Sequence, residues 1–78
     1  MNSTFAIKSL RGKRLKSQED IAKAIGVSRQ VYNGYENDII HCELNLVYKI
    51  LKVLEANEQE VNDFLFAVKQ DFLSYTNE

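Results

Sequence analysis

Three polar side chains fall within a five-residue segment near the middle of the chain: Arg29, Gln30 and Asn33. Spacings of three and four residues place Asn33 beside each of the other two on the surface of a helix. A guanidinium or a carboxamide can form two hydrogen bonds at once to the edge of a planar ring. In a DNA major groove, arginine pairs in this way with guanine, and glutamine or asparagine with adenine. We therefore take these residues as candidate base contacts.

The residues around this segment predict two short helices joined by a tight turn. Ser17 is a good N-cap, and Asp20 three residues later can bond back to it, as in a capping box. Gly26 follows the apolar positions of this helix and suits the left-handed conformation that ends a helix. Ser28 then caps a second helix. The pattern over residues 17–36 is that of a helix-turn-helix, and its second helix carries the three polar residues.

The charge of the chain is divided unevenly along its length. The net charge is −1, but residues 1–35 contain seven basic and two acidic side chains, and residues 36–78 contain three basic and nine acidic ones. A basic half that includes the helix-turn-helix is the pattern expected of a phosphate-binding surface, with Lys13 and Lys16 as candidate contacts. The alternative is that the basic residues between positions 8 and 16 form an ordinary solvated helix face.

The remaining composition fits one small globular domain over residues 1–78. No apolar run is long enough to span a membrane and no export signal opens the chain, so a cytoplasmic protein is expected. Cys42 is the only cysteine, so no internal disulfide can form, and no Cys and His cluster indicates a metal. We find no nucleophile paired with a base. We predict a protein that is not an enzyme and has no cofactor, membrane or small-molecule partner.

Five helices and no strands are expected. Besides the two of the helix-turn-helix, the periodicity predicts helices over residues 5–15, 43–54 and 58–75, with a loop at 37–42. Ile7 and Leu10 face inward from the first helix. Gly12 in the same helix indicates close backbone packing, with a weak spot in the helix as the alternative. The helix over 43–54 is apolar at eight of twelve positions and is expected to be nearly surrounded by protein.

The last predicted helix has two apolar sides. One stripe is expected to dock on the core and consists of Val61, Phe64, Leu65, Val68 and Phe72. Phe66 and Leu73, seven residues apart, lie on the opposite side, where a small domain has little protein to cover them. We predict that they form a homodimer interface. The alternative is that this helix ends early and its tail frays.

Taken together, these segments resemble the Xre-type, lambda repressor and Cro-like helix-turn-helix domains. The resemblance covers about residues 7–65 and rests on Leu10-Arg11, on residues 17–22 and 26–30, on Glu36, and on the apolar helix that ends at Leu54. It implies a compact all-α domain of five helices with a longer C-terminal helix. It also implies binding to double-stranded operator DNA, usually as a two-fold dimer, and many such proteins regulate phage or mobile elements.

The resemblance also implies roles for individual residues. Gln18 falls where members of the family contact a backbone phosphate and brace the recognition helix, and Ser28 is a further candidate phosphate contact. Arg29 and Gln30 fall where members read base edges, and Asn33 where a base or phosphate contact is common. Arg11 and Glu36 resemble the family's internal ion pair, which joins the first helix to the third. A structural role is therefore expected for both.

Four positions depart from the family pattern. Gly34 stands where a long polar side chain is usual, so one DNA contact is expected to be missing. Tyr32 and Tyr35 replace aliphatic or Trp residues, and their rings are expected to pack inward with the hydroxyls at the edge. Asp38, in the following loop, would repel phosphate.

Two functions follow from these observations. The first is a sequence-specific transcriptional regulator of repressor type that inserts its third helix in the major groove, which Arg29 and Gln30 on a basic half favour. The alternative is a protein-interaction module on the same fold, such as an antirepressor or antitoxin, which Asp38 and the acidic second half favour. His41 and Cys42 are interpreted as ordinary structural residues.

Overall fold

In the part of the chain that the structure describes, five α-helices and one short 3₁₀ helix follow one another. The computed structural model describes residues 2–76, with the side chains of residues 2–74, so residues 1, 77 and 78 of the predicted domain lie outside the described residues. The elements are α1 (Asn2–Lys13), α2 (Gln18–Ile25), α3 (Arg29–Asn37), a 3₁₀ helix (Ile39–His41), α4 (Leu44–Val53) and α5 (Glu58–Thr76). The prediction of an all-α, five-helix fold is confirmed over this part of the chain.

Helix α1 begins three residues earlier than predicted, because a distant side chain caps it. The backbone N–H groups of Asn2 and Ser3 donate to the two carboxylate oxygens of Asp71 in α5, at 2.7 and 2.8 Å. The Ser3 hydroxyl also donates to Asp71. The first N–H groups of a helix have no partner within the helix, so an external acceptor allows it to extend. We call this arrangement the Asp71 cap.

Three helices end in the same way, with one residue in the left-handed region. Leu15, Gly26 and Glu55 have φ values of 55°, 79° and 53°. After α1, the N–H of Leu15 bonds to the carbonyl of Gly12 and that of Lys16 to Arg11. Equivalent bonds follow α2 and α4, so each end is a Schellman motif. Only one of the three left-handed residues is a glycine.

The core lies where the helices meet, and it corrects the prediction for α4. Ile7 and Leu10 of α1 are buried as expected, and so are Ile50 and Leu51 of α4. The remaining core residues are Ile21, Ala22, Tyr32, Ile39, Val47, Leu54 and Phe64. However, Leu44 and Tyr48 are 60% and 55% exposed, so α4 is not nearly surrounded by protein. These two residues are four apart and form one uncovered flank of the helix.

Helix α5 docks through a narrower face than the sequence predicts. Phe64 is buried, but Leu65 and Phe72 are 48% and 56% exposed, so their assignment to the docking stripe is wrong. The buried Asp71 lies one position before Phe72 and faces α1 instead. The close-packing interpretation of Gly12 is also wrong, because a Cβ there would meet no described atom within 4 Å apart from its chain neighbours and the backbone of its own helix.

Candidate nucleic-acid interface

The candidate base contacts lie at the start and on the outer face of α3. Ser28 caps the helix by accepting a hydrogen bond from the N–H of Val31 at 3.2 Å. Arg29 and Gln30 are the first two helical residues, and both are exposed, as is Asn33 one turn later. No carboxylate lies within ion-pair distance of Arg29 in the described part of the chain. Its guanidinium is therefore available to an external acceptor.

Helix α2, which precedes α3, is closed at both ends by the predicted signals. The N–H of Asp20 donates to the Ser17 hydroxyl at 3.1 Å, and the N–H of Ser17 donates to the Asp20 carboxylate at 2.8 Å. These bonds to Ser17 lower the pKa of Asp20 below its ordinary value. Gly26 provides the left-handed residue after α2. The reciprocal capping box and the turn at Gly26 set the helix-turn-helix geometry.

An ion pair fixes the far end of α3 against α1. The Nε and Nη2 atoms of Arg11 donate to the two carboxylate oxygens of Glu36, at 2.9 and 3.0 Å. The Glu36 side chain is fully buried, and that of Arg11 is 19% exposed. Burial would raise the pKa of Glu36, but hydrogen bonds from Arg11 and Gln18 hold it below its ordinary value. The charged hydrogen bond to Glu36 raises the pKa of Arg11.

Tyr32 lies beside this pair and differs from the prediction in one respect. Its ring packs inward as expected, but the whole side chain is buried, so the hydroxyl is not at the edge of the core. Among the described residues, the hydroxyl oxygen has no hydrogen-bond partner of standard geometry. Burial raises the pKa of Tyr32 far above its ordinary value, so the phenol stays neutral.

Gln18 connects α2 to α3 at the same end of the molecule. Its Nε2 atom donates to the Oδ1 atom of Asn33 at 3.0 Å and to the Oε1 atom of Glu36 at 3.3 Å. A primary amide nitrogen carries two hydrogens, so both donors of Gln18 are in use. The predicted bracing contact therefore has a specific geometry, in which the Gln18 amide lies between two side chains of α3.

The basic half of the sequence is partly neutralised in the fold. Lys13 and Arg14 both contact Glu60, at 3.5 Å in the case of Lys13, and Lys23 lies 3.6 Å from Glu19. Three basic side chains of residues 1–35 have no carboxylate within 4 Å among the described residues, namely Lys8, Lys16 and Arg29. The free positive charge near α3 is thus smaller than the sequence count indicates.

The structure places one further exposed polar residue, Asn37, beside the candidate base contacts. Asn37 was expected in a loop, but it is the last residue of α3 and is exposed. It lies seven residues after Gln30 and four after Asn33, so it shares their face of the helix. Between them, Gly34 is open, because a Cβ there would meet no described atom within 4 Å apart from its chain neighbours and the backbone of α3. Helical periodicity alone would have placed Asn37 on this face, but the predicted helix ended at residue 36 and so left it out.

The segment after α3 contains the residues interpreted as structural. The Nδ1 atom of His41 lies 2.7 Å from the Oδ1 atom of Asp38, both on the surface. The thiol of Cys42 lies 3.7 Å from the carbonyl oxygen of Tyr35 and 3.6 Å from that of Asp38, near the end of α3. Burial and the nearby Asp38 raise the pKa of the Cys42 thiol, which disfavours the reactive thiolate.

A groove between α1 and α5 lies away from α3. Its volume is about 360 Å³. Its lining includes the buried Leu10 and Phe64 and two exposed rings, Phe5 at 73% and Phe66 at 63%. The second dimer candidate, Leu73, is 43% exposed and does not line this groove.

No helix in residues 2–76 is long and apolar enough to cross a membrane. Across the same part of the chain, no three His, Cys, Asp or Glu residues are grouped so that they could hold a metal ion.

Comparison with known proteins identifies the class that this geometry defines. A family model described as Helix-turn-helix matches residues 7–61, which is more than half of the chain. The chain belongs to the Xre and lambda repressor-like helix-turn-helix family. This is a family of DNA-binding transcription regulators and is typically non-enzymatic. No curated protein and no solved structure matches the chain significantly.

Proposed function

We propose that the protein is a sequence-specific repressor, of phage or mobile-element type, which places the N-terminal end of α3 in the major groove of operator DNA. The observation that carries the proposal is the position of Arg29 and Gln30, exposed at the first two residues of α3. Arg29 suits a guanine edge and Gln30 an adenine edge. Repression would follow from occupying a promoter in the cytoplasm and excluding the polymerase.

Phosphate contacts would hold α3 in register. The Ser28 hydroxyl accepts from Val31 and still has its own hydrogen to donate. Lys16 has no carboxylate within 4 Å in the described chain, whereas Lys13 lies 3.5 Å from Glu60, which competes with a phosphate for its charge. Because both donors of the Gln18 amide are used, we propose that Gln18 contacts phosphate through its backbone N–H in the first turn of α2.

We further propose that the protein acts as a homodimer that pairs through α5. Phe66 is 63% exposed and lines the same groove as the exposed Phe5, so the two rings form one apolar surface. Leu73 extends the same side of α5 seven residues later. Two copies with recognition helices about 34 Å apart would read a palindromic site from one face of the DNA.

Selection of bound sequences from a random pool of double-stranded DNA tests the proposal. Fluorescence anisotropy titrations on the selected site should then show a loss of about 1–3 kcal/mol for Arg29→Ala and for Gln30→Ala, with relaxed selectivity. Lys16→Ala should weaken binding to all sequences and reduce the salt dependence. Lys52→Ala, an exposed change near the end of α4 and outside both proposed surfaces, is the control for a general charge effect. A pool without enriched sequences would contradict sequence-specific binding.

A further inference from the structure

The negative charge of Glu36 determines which atoms around Gln18 donate hydrogen bonds and which accept them. Arg11 holds Glu36 as an ionised carboxylate, which can only accept hydrogen bonds. The Gln18 atom 3.3 Å from Glu36 must therefore be its nitrogen. The second hydrogen of that nitrogen points to Asn33 at 3.0 Å, so the atom of Asn33 that faces it must be the carbonyl oxygen.

This arrangement determines what Asn33 presents on the outer face of α3. Its carbonyl oxygen faces α2 and is engaged by Gln18. The other end of the amide, the Nδ2 atom with two N–H donors, has no hydrogen-bond partner within the described residues. The side chain is exposed, so these donors are available to a ligand.

The usual pairing of asparagine with adenine needs both ends of the amide at one edge of the base. The carbonyl oxygen accepts from N6, and the amide nitrogen donates to N7. An amide whose oxygen is turned toward α2 lacks the first of these bonds. Guanine presents two acceptors, N7 and O6, at the corresponding edge, which match an amide that offers only donors.

We propose that Gln18 is a positioning residue that makes Asn33 read guanine rather than adenine. The inference rests on the proposed function, because it requires α3 to enter a major groove. The residue type of Asn33 alone would predict a preference for adenine, so the inference changes the expected base at this position.

Sequence selection with variants tests this inference. Asn33→Ala identifies the base pair that depends on Asn33, and the wild-type chain should prefer guanine at that position. Asn33→Asp can still accept from Gln18 but has no donor to offer, so the guanine preference should disappear. Gln18→Met removes the positioning bond, and the ratio of adenine to guanine at that position should rise about fivefold or more. Gln59→Met is the matched control, since the Gln59 side chain bonds, among the described residues, to Asp63 on the surface of α5 and to no residue of α3.

The outcomes separate this inference from the proposed function. Adenine at the Asn33-dependent position in the wild-type chain, or a guanine preference that survives in Asn33→Asp, would overturn the inference and leave DNA readout intact. An unchanged selected sequence in Asn33→Ala would also overturn it. If no sequence is selected at all, both fail. In the free protein, NMR should show a displaced Gln18 side-chain amide resonance in Asn33→Ala, and an unmoved resonance would contradict the bond itself.

Discussion

Glu36 is the residue on which three helices depend. A buried carboxylate is tolerated where other groups replace the water that it loses. Glu36 of α3 receives hydrogen bonds from Arg11 of α1 and from Gln18 of α2. Because the carboxylate has no access to solvent, any change that removes a partner leaves it poorly compensated.

Removing the charged partner of Glu36 should therefore destabilise the fold strongly. We expect Arg11→Met to lower the free energy of unfolding by roughly 3–5 kcal/mol. The measurement is urea unfolding followed by circular dichroism. Arg29→Met makes the same change at an exposed site without an acidic partner and should shift the free energy by less than about 0.5 kcal/mol. Equal stability of Arg11→Met and the wild-type chain would show that the pair contributes nothing.

The Asp71 cap should make stability depend on pH. Burial would raise the pKa of Asp71, but hydrogen bonds from Ser3 and Asn2 hold it below the ordinary value of 3.8. A carboxyl with a lowered folded-state pKa stabilises the protein above its unfolded-state pKa, and this stabilisation is lost as the pH falls through the folded value. We expect Asp71→Asn to cost about 1–3 kcal/mol near neutral pH.

The difference between Asp71→Asn and the wild-type chain should then shrink as the pH falls below about 4. Unfolding free energies measured for both proteins across this range provide the test. Asp63→Asn, a change at an exposed site on the same helix, is the control for the loss of one charge. A difference that is independent of pH would mean that the charged form of Asp71 has no role in the cap.

The elements were predictable where their signals are local. Ser17 with Asp20, and Asn57 with Glu60, form reciprocal capping bonds that can be read from a spacing of three residues. The early start of α1 was not predictable, because its cap comes from Asp71, 68 positions after Ser3. A local pattern carries no information about a partner at that distance.

The prediction of the docking face of α5 was wrong for a related reason. Its apolar residues cover a wide arc, and periodicity alone does not determine which side of that arc faces the core. The structure turns Phe64 inward and leaves Leu65 and Phe72 exposed. Asp71 completes the docked face, but it is polar, so a pattern of apolar positions does not include it.

The end of α1 offers a way to stabilise the protein. Leu15 has a φ of 55° and is 91% exposed, so it is held in a left-handed conformation without burying its side chain. That conformation costs an L residue with a Cβ roughly 1–2 kcal/mol, and glycine avoids the cost. We expect Leu15→Gly to raise the free energy of unfolding by about 1 kcal/mol, measured by urea unfolding. Ala24→Gly, within right-handed α2, should instead destabilise by a similar amount.

At the scale of the whole molecule, folding redistributes the charge that the sequence shows. Glu36 and Glu60 come from the acidic half, yet they lie against Arg11, Lys13 and Arg14 of the basic half. The candidate base contacts could be selected from residue type and spacing. The hydrogen bonds that orient them could not, since Gln18 and Asn33 meet only when α2 packs on α3.

The proposed dimer gives a prediction at this scale. A carboxylate in place of the exposed Phe66 should prevent association, because a charge buried in an apolar interface is strongly unfavourable. We expect the wild-type chain to form a dimer at micromolar concentration, and Phe66→Asp to be a folded monomer that binds DNA more weakly. Sedimentation equilibrium at about 100 µM, well above a micromolar dissociation constant, measures this.

A matched change separates the predicted interface from general effects on α5. Leu65→Asp introduces the same charge on another exposed flank of this helix and should leave the dimer intact. A wild-type chain that sediments only as a monomer at that concentration would exclude the dimer.

The Asp71 cap also bears on the order in which the molecule assembles. It joins Asp71 to Asn2 and Ser3, which precede it by 69 and 68 positions, almost the full length of the described chain. A contact of that span forms late, because closing so long a loop costs entropy before any contact compensates it. Helices α2 and α3 meet within about twenty residues and can pair early. We therefore expect weakening of the cap to shorten the lifetime of the folded state more than it slows folding.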